Sequence, residues 1–217
     1  MRFAPEGLIF IIGTFVLFIL LAVAAFFLRQ PGIMRLSLSL AFLGAGFMAF
    51  FFRDPERVTQ ADEKAFISGA DGIVNSIEVL REDAFLKCDA VRITVFLNLQ
   101  DVHVNRTPMA GKVEMVTYTP GKFLAAYKEN ASFENAYSTI GIRGEKTNCM
   151  VRQIVGLVVR RVVTRVKTGD SLARGERIGL MKFGSRLDIF FPVADVEVTV
   201  KKGERVRAGE TVIARLR

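Results

Sequence analysis

Two uncharged apolar runs near the amino terminus constrain this chain more than any other feature. Leu8 to Leu28 carries no charged residue. At about 1.5 Å of rise per residue, a helix over that run matches the roughly 30 Å hydrocarbon core of a bilayer. Arg29-Gln30-Pro31-Gly32 breaks it, because proline and glycine punctuate helices. Ile33 to Phe52 is a second apolar run, interrupted only by Arg35. Its small residues (Ser37, Ser39, Ala41, Gly44, Ala45, Gly46 and Ala49) permit close approach of a neighbouring helix. Together the runs predict a helical hairpin in a membrane, either spanning it or dipping into one leaflet. A cleaved signal peptide accounts for the first run but not for the second. Arginines stand at the ends (Arg2, Arg53, Arg57) and in the turn (Arg29, Arg35), so the positive-inside rule assigns no orientation. At Arg53-Asp54-Pro55-Glu56-Arg57 polarity rises and Pro55 stops the helix. The domain boundary is placed there: residues 1–57 as the hairpin, 58–217 as a second domain.

Past that boundary the pattern is mostly β. Val91, Ile93, Val95, Leu97 and Leu99 alternate with Arg92, Thr94, Phe96 and Asn98, a period of two. Glycines open apolar runs at Gly72-Ile73-Val74 and Gly111-Lys112-Val113. Residues 151–166 are rich in β-branched side chains and predict at least one buried strand. Residues 130–147 are polar and mixed, and read as loop with short strands. The net charge of +8 points to an anionic partner. With two membrane runs and no nucleic-acid motif, that partner is an acidic bilayer surface. Cys88 and Cys149 lie far apart with no metal spacing, which reads as buried free thiols in a reducing compartment. His103 is the single histidine, so no His-rich metal site exists and no metal is expected.

The last third contains an echo. Gly169-Asp170-Ser171-Leu172-Ala173-Arg174-Gly175-Glu176 resembles Gly203-Glu204-Arg205-Val206-Arg207-Ala208-Gly209-Glu210. Glycines at fixed offsets permit tight turns between short strands. The repeat is similar to the half-motif of lipoyl and biotinyl carrier domains, a flattened β structure of two like halves. The expected fold is therefore mainly β (α+β), a flattened barrel or sandwich behind the hairpin. In carrier domains the modified lysine sits between the halves, and Lys182 in Met181-Lys182-Phe183 lies at that place. A carrier modified at Lys182 is thus one reading, although the chain has no Pro/Ala-rich swinging linker.

Three further stretches carry chemistry. Asp71 sits in the glycine-flanked turn Gly69-Ala70-Asp71-Gly72, where an acid can simply cap its own backbone. His103 lies at the end of the clearest strand, in Asp101-Val102-His103-Val104-Asn105-Arg106, a position suited to function. Gly184-Ser185 lies between the strand-like runs 177–183 and 187–191. It reads either as a plain hairpin turn or as a site where Ser185 attacks the carbonyl of Gly184 and cuts its own chain.

In order and spacing these pieces resemble the phosphatidylserine decarboxylase family, in its short form. The resemblance runs from Phe51-Phe52-Arg53-Asp54-Pro55-Glu56-Arg57 through Ala70-Asp71-Gly72 and Asp101 to Arg106, and ends on Phe183-Gly184-Ser185. It implies self-cleavage between Gly184 and Ser185, giving a β chain (1–184) and an α chain (185–217) that stay together. Ser185 would become a pyruvoyl cofactor. That group would form a Schiff base with phosphatidylserine and release CO₂ and phosphatidylethanolamine. The family's acid and histidine fall on Asp71 and His103. The long form has a second histidine where this chain has Arg106, which leaves the base assignment open. A serine hydroxyl needs a base to become nucleophilic. An imidazole with an unperturbed pKa of about 6.5 is largely neutral near pH 7 and able to serve. The expectation is that Asp71 orients His103 toward Ser185, with Arg106 and Arg186 meeting the substrate's carboxylate or phosphate. The lipid substrate places the enzyme at the cytoplasmic membrane, with its active domain facing the cytoplasm. A non-enzymatic membrane anchor module is the third reading.

Overall fold

The computed structural model of the chain describes residues 2–59, 62–122, 134–156, 162–182 and 185–217. They form two units, Met1–Glu56 and Arg57–Arg217. In the first, β1 (Arg2–Phe3) and β2 (Arg53–Asp54) pair antiparallel across the base of a hairpin. Its arms are α1 (Pro5–Phe27) and α2 (Pro31–Phe51). Each helix opens on a proline, whose missing N–H is no loss in the first turn. Close approach of the arms rests on small residues, as expected for α2. Ser37 and Ala41 are buried, and a Cβ on Gly44 would sit 2.8 Å from Cγ2 of Thr14. The α1 arm contributes Gly7, Ala22 and Ala25 to the same seam. Outward from it, Ile9, Leu17, Leu20, Phe42 and Leu43 are exposed. Both helices are long and apolar enough to cross a membrane, and an apolar surface of this extent marks a membrane or protein contact.

The second unit is β throughout. Its strands are β3 (Ala65–Ile67), β4 (Gly72–Glu82), β5 (Cys88–Leu97), β6 (Val104–Arg106), β7 (Gly111–Thr119), β8 (Tyr137–Arg143) and β9 (Asn148–Ile154). They continue with β10 (Val163–Thr164), β11 (Ser171–Leu172), β12 (Arg177–Leu180), β13 (Ser185–Pro192), β14 (Val196–Val198), β15 (Arg205–Val206) and β16 (Val212–Leu216). The main sheet has the order β11-β7-β8-β9-β13-β5-β4-β15 and curls into a half-barrel. Two small sheets, β10-β12-β6 and β14-β16-β3, accompany it. The mainly β expectation holds.

One face of the alternating strand fills the core. Val91, Ile93, Val95 and Leu97 of β5 pack with Leu187, Ile189 and Phe191 of β13 and with Ile140 and Ile142 of β8. The other face of β5 is covered as well, since Arg92 and Thr94 are buried. Cys149 is buried and Cys88 half-buried, both as free thiols. Burial pushes the Cys149 thiol well above its ordinary pKa. The stretch 130–147, read as loop with short strands, holds within its described residues 134–147 the strand β8, mostly buried and inside the main sheet. Only two large aliphatics mark it in the sequence. At Gly141 the ring of Phe85 fills the place of a side chain.

The echo in the last third is one half of a larger two-fold repetition. Ser171-Leu172 pairs with Lys112-Gly111, and Arg205-Val206 pairs with Ile73-Gly72. Gly169 N–H donates to Val113 O, and Gly203 N–H to Val74 O. Gly175 N–H donates to Thr107 O, and Gly209 N–H to Ser68 O. All four of these glycines have positive φ. The repeat therefore matches Thr107–Val113 with Ser68–Val74, and Ala110 with Asp71.

Candidate active site

Ser185 opens β13, where it pairs with Leu97 at the end of β5. It is fully buried, and among the described residues its hydroxyl makes a long bond, 3.3 Å, to the carbonyl of Lys182. Phe183 and Gly184 lie outside the described residues. The register also locates Asp71. Ile73, Phe96 and Arg186 form one row across β4, β5 and β13. Asp71, just before β4, and Ser185, at the start of β13, thus stand at the same end of the sheet. They are separated by two strand spacings, or roughly 10 Å.

His103 reaches this end from the small sheet. Its carbonyl accepts a 3.1 Å bond from Met181 N–H, which continues the β6–β12 ladder to within four residues of Ser185. The ring is fully buried, with Nδ1 2.9 Å from the Asp101 carbonyl oxygen. A backbone carbonyl is only an acceptor, so Nδ1 carries the proton and Nε2 is the basic nitrogen of the neutral ring. Asp101 is itself braced. Its carboxylate accepts the Asn98 N–H at 2.8 Å and pairs with Arg205.

Asp71 does not orient His103 in the way expected. Its carboxylate is gripped by both terminal nitrogens of Arg57, at 2.5 and 2.7 Å, and accepts the Ala208 N–H at 2.8 Å. Arg57 also donates to the Ala208 carbonyl at 2.6 Å. The physical reason is charge: a buried carboxylate needs a counter-charge more than it needs an imidazole. The orientation of His103 comes instead from the Asp101 backbone.

The two arginines expected to meet substrate are both buried. Arg186 pairs with Asp188 at 2.7 Å and donates to Thr94 Oγ1 at 3.0 Å. Its charge is spent inside the sheet, which does not support a substrate role. Arg106 donates to the Gly175 carbonyl at 2.9 Å, and its Cδ lies 3.0 Å from where a Cβ on Gly209 would stand. It joins the two repeat turns.

Sequence reasoning missed Arg57 as the partner of Asp71. The available signal was that an acid in a tight apolar turn demands a cation. It also missed Gln153, which donates from Nε2 to Oδ1 of Asn105 at 2.8 Å. A cavity of about 590 Å³ lined by Phe66, Met109, Lys112, Lys146 and Arg174 contains none of the predicted site residues. No cluster of metal-ligating side chains occurs among the described residues.

The described site thus brings to one end of the sheet a buried serine at a strand start, a histidine whose Nδ1 faces a backbone carbonyl, and an acid clamped by arginine. Comparison with known proteins gives the family. The phosphatidylserine decarboxylase family model matches residues 45–214. The phosphatidylserine decarboxylase proenzyme of Carboxydothermus hydrogenoformans is 48% identical over 82% of this chain and 84% of its own. That of Geobacter metallireducens is 40% identical over 98% of this chain and 96% of its own. That of Erythrobacter litoralis is 45% identical over 82% and 76%. The chain belongs to the phosphatidylserine decarboxylase family and is a decarboxylase, which favours that reading over a carrier modified at Lys182.

Proposed function

We propose that this chain is a proenzyme that cuts itself between Gly184 and Ser185 and then decarboxylates phosphatidylserine to phosphatidylethanolamine in phospholipid biosynthesis. The observation that carries this reading is the setting of Ser185. Its hydroxyl is buried, 3.3 Å from the Lys182 carbonyl oxygen, at the same end of the sheet as a histidine whose Nε2 is basic.

In the first step His103 Nε2 takes the Ser185 hydroxyl proton, and Oγ bonds to the Gly184 carbonyl carbon. The C–N bond then breaks, the nitrogen takes a proton, and an ester joins the two parts. Loss of the Ser185 α-proton expels the Gly184 carboxylate. The unsaturated residue left behind rearranges and hydrolyses to a pyruvoyl group, releasing ammonia. That group would fit the site, because Ser185 is fully buried and set in the ladder at the start of β13. It would supply an electron sink for the pair released as CO₂ leaves the substrate. His103, then in its acid form, returns a proton to the substrate carbon. The Arg57–Asp71 clamp keeps the neighbouring turn in register.

The two products of the cut remain a heterodimer. Support comes from β13, which begins at Ser185 and is hydrogen-bonded to β5 on one side and β9 on the other. The hairpin tethers the enzyme to the membrane that contains its lipid substrate. With free thiols, that membrane is the cytoplasmic one, with the β unit in the cytoplasm. The basic excess favours an anionic lipid surface, at about 1 kcal/mol per near-surface Lys or Arg.

The test is a denaturing gel with intact mass measurement. The wild-type chain splits into two pieces, the smaller beginning with a blocked residue 185. Ser185→Ala stays whole and releases no CO₂ from phosphatidylserine. A split that persists in Ser185→Ala defeats the assignment.

A further inference from the structure

Asn105 is fully buried, and its side-chain nitrogen has no hydrogen-bond partner among the described residues. The orientation of that amide is set by a chain of donors. Thr164 Oγ1 lies 2.8 Å from Ser138 Oγ and donates to Gln153 Oε1 at 3.3 Å. Gln153 Nε2 then donates to Asn105 Oδ1 at 2.8 Å. With its oxygen engaged, Asn105 presents an N–H pair and nothing else. Gly179, opposite Asn105 in the β6–β12 ladder, makes the link possible, since a Cβ there would stand 2.7 Å from Gln153 Nε2.

Register places this donor at the reacting end of the sheet. Asn105 is two residues after His103 along an extended run, so the two side chains share a face. Gln153 is opposite Leu187, which makes it the diagonal neighbour of Ser185 on the same face, about 7–8 Å across. A buried amide N–H left unmatched is destabilising. Here a polar relay through Gln153 and Thr164 holds that N–H in place.

We propose that the Asn105 amide is the hydrogen-bond donor that stabilises the charge developing on the carbonyl oxygen attacked by Ser185. This rests on the self-cleavage reading above. As the Ser185 Oγ–C bond forms and His103 takes the proton, the carbonyl π pair moves onto oxygen. Asn105 Nδ2–H meets that oxygen. When the carbonyl re-forms, the C–N bond breaks and the ester results. Asn105 acts on the attack, and Gln153 is its positioning residue.

The experiment follows chain splitting over time in whole protein made by cell-free synthesis, for wild type, Asn105→Ala and Asn105→Asp. The aspartate keeps the shape and the acceptor toward Gln153 but removes the N–H. Thermal melting is recorded for each variant, and each is also treated with hydroxylamine, which cleaves an ester but not an amide. Both variants are expected to split about 100- to 1000-fold more slowly than wild type, and hydroxylamine is not expected to release the fragments, because the block precedes the ester. If Asn105→Ala melts early, Asn105→Asp decides. Splitting of Asn105→Asp at the wild-type rate overturns the proposal, because shape alone then suffices. Prompt release by hydroxylamine also overturns it, by moving the block past the attack. So does normal splitting followed by slow decarboxylation. If wild type itself does not split, the reading under Proposed function fails, a result distinct from all of these.

Discussion

The two-fold repetition isolates Asp71 at the level of the single residue. Ser68–Val74 and Thr107–Val113 make matching backbone bonds to the two glycine turns, yet one copy has Asp71 where the other has Ala110. A structural turn of this shape therefore needs no acid. Asp71 is retained with a buried counter-charge, Arg57, whose side chain is only 7% exposed. Removing one partner of such a pair leaves the other charge dry, at a cost of about 3 kcal/mol. Arg57→Ala in an uncut Ser185→Ala background is expected to lose about that much in a urea titration. Adding Asp71→Ala to it should restore part of the loss, since no unpaired charge remains. A double variant no more stable than Arg57→Ala would show that the pair is not acting through its charge.

At the scale of elements, the repetition supplies an internal control. A Cβ on Gly72 would run into the carbonyl oxygen of Phe96, and one on Gly111 into that of Arg143. Neither neighbour is a side chain that could swing away, so each alanine substitution is expected to cost about 3 kcal/mol. Gly169 and Gly203 have open space around the missing Cβ but φ of 100° and 89°, which predicts a smaller loss of about 1 kcal/mol on substitution. Melting temperatures should fall into those two pairs. Only Gly72→Ala should also slow the splitting, because Asp71 precedes it; equal slowing by Gly111→Ala would mean that stability alone controls the cut. The same elements show what the sequence made legible. The hairpin, the period of β5 and the glycine turns at 169–176 and 203–210 follow from local spacing. The matching halves at 68–74 and 107–113 share little beyond a glycine and a valine, so their likeness lies in backbone bonds. The burial of β8 was not legible, because it comes from neighbours such as Phe85. Ser185, His103 and Asp71 were each visible as residues, but their partners were not. Arg57, Asp101 and Gln153 act through contacts that only the folded register creates. The Asn105–Gln153 bond joins residues 48 apart in the chain.

At the scale of the whole molecule, the chain divides its work between two units with separate hydrophobic surfaces. The β unit turns its apolar residues inward, whereas the hairpin leaves its own facing out. In water that outward face would be a large cost; in lipid it is none. Leu17 and Leu43, 55% and 71% exposed near the middle of α1 and α2, test which solvent the hairpin occupies. A lysine at each position costs about 2.5–3.5 kcal/mol if it lies at the bilayer centre. Leu17→Lys with Leu43→Lys is therefore expected to leave carbonate-washed membranes, whereas wild type stays in the pellet. Splitting of the variant in detergent should be unchanged, because Ser185 and His103 belong to the other unit. Its turnover of a soluble short-chain phosphatidylserine should also persist, while turnover of phosphatidylserine in vesicles falls at least about tenfold, the equivalent of 1.4 kcal/mol of lost membrane affinity. Retention of the double variant in washed membranes would show that the hairpin's exposed face meets something other than lipid. Loss of splitting along with loss of the membrane would tie the chemistry of Ser185 to the anchor itself.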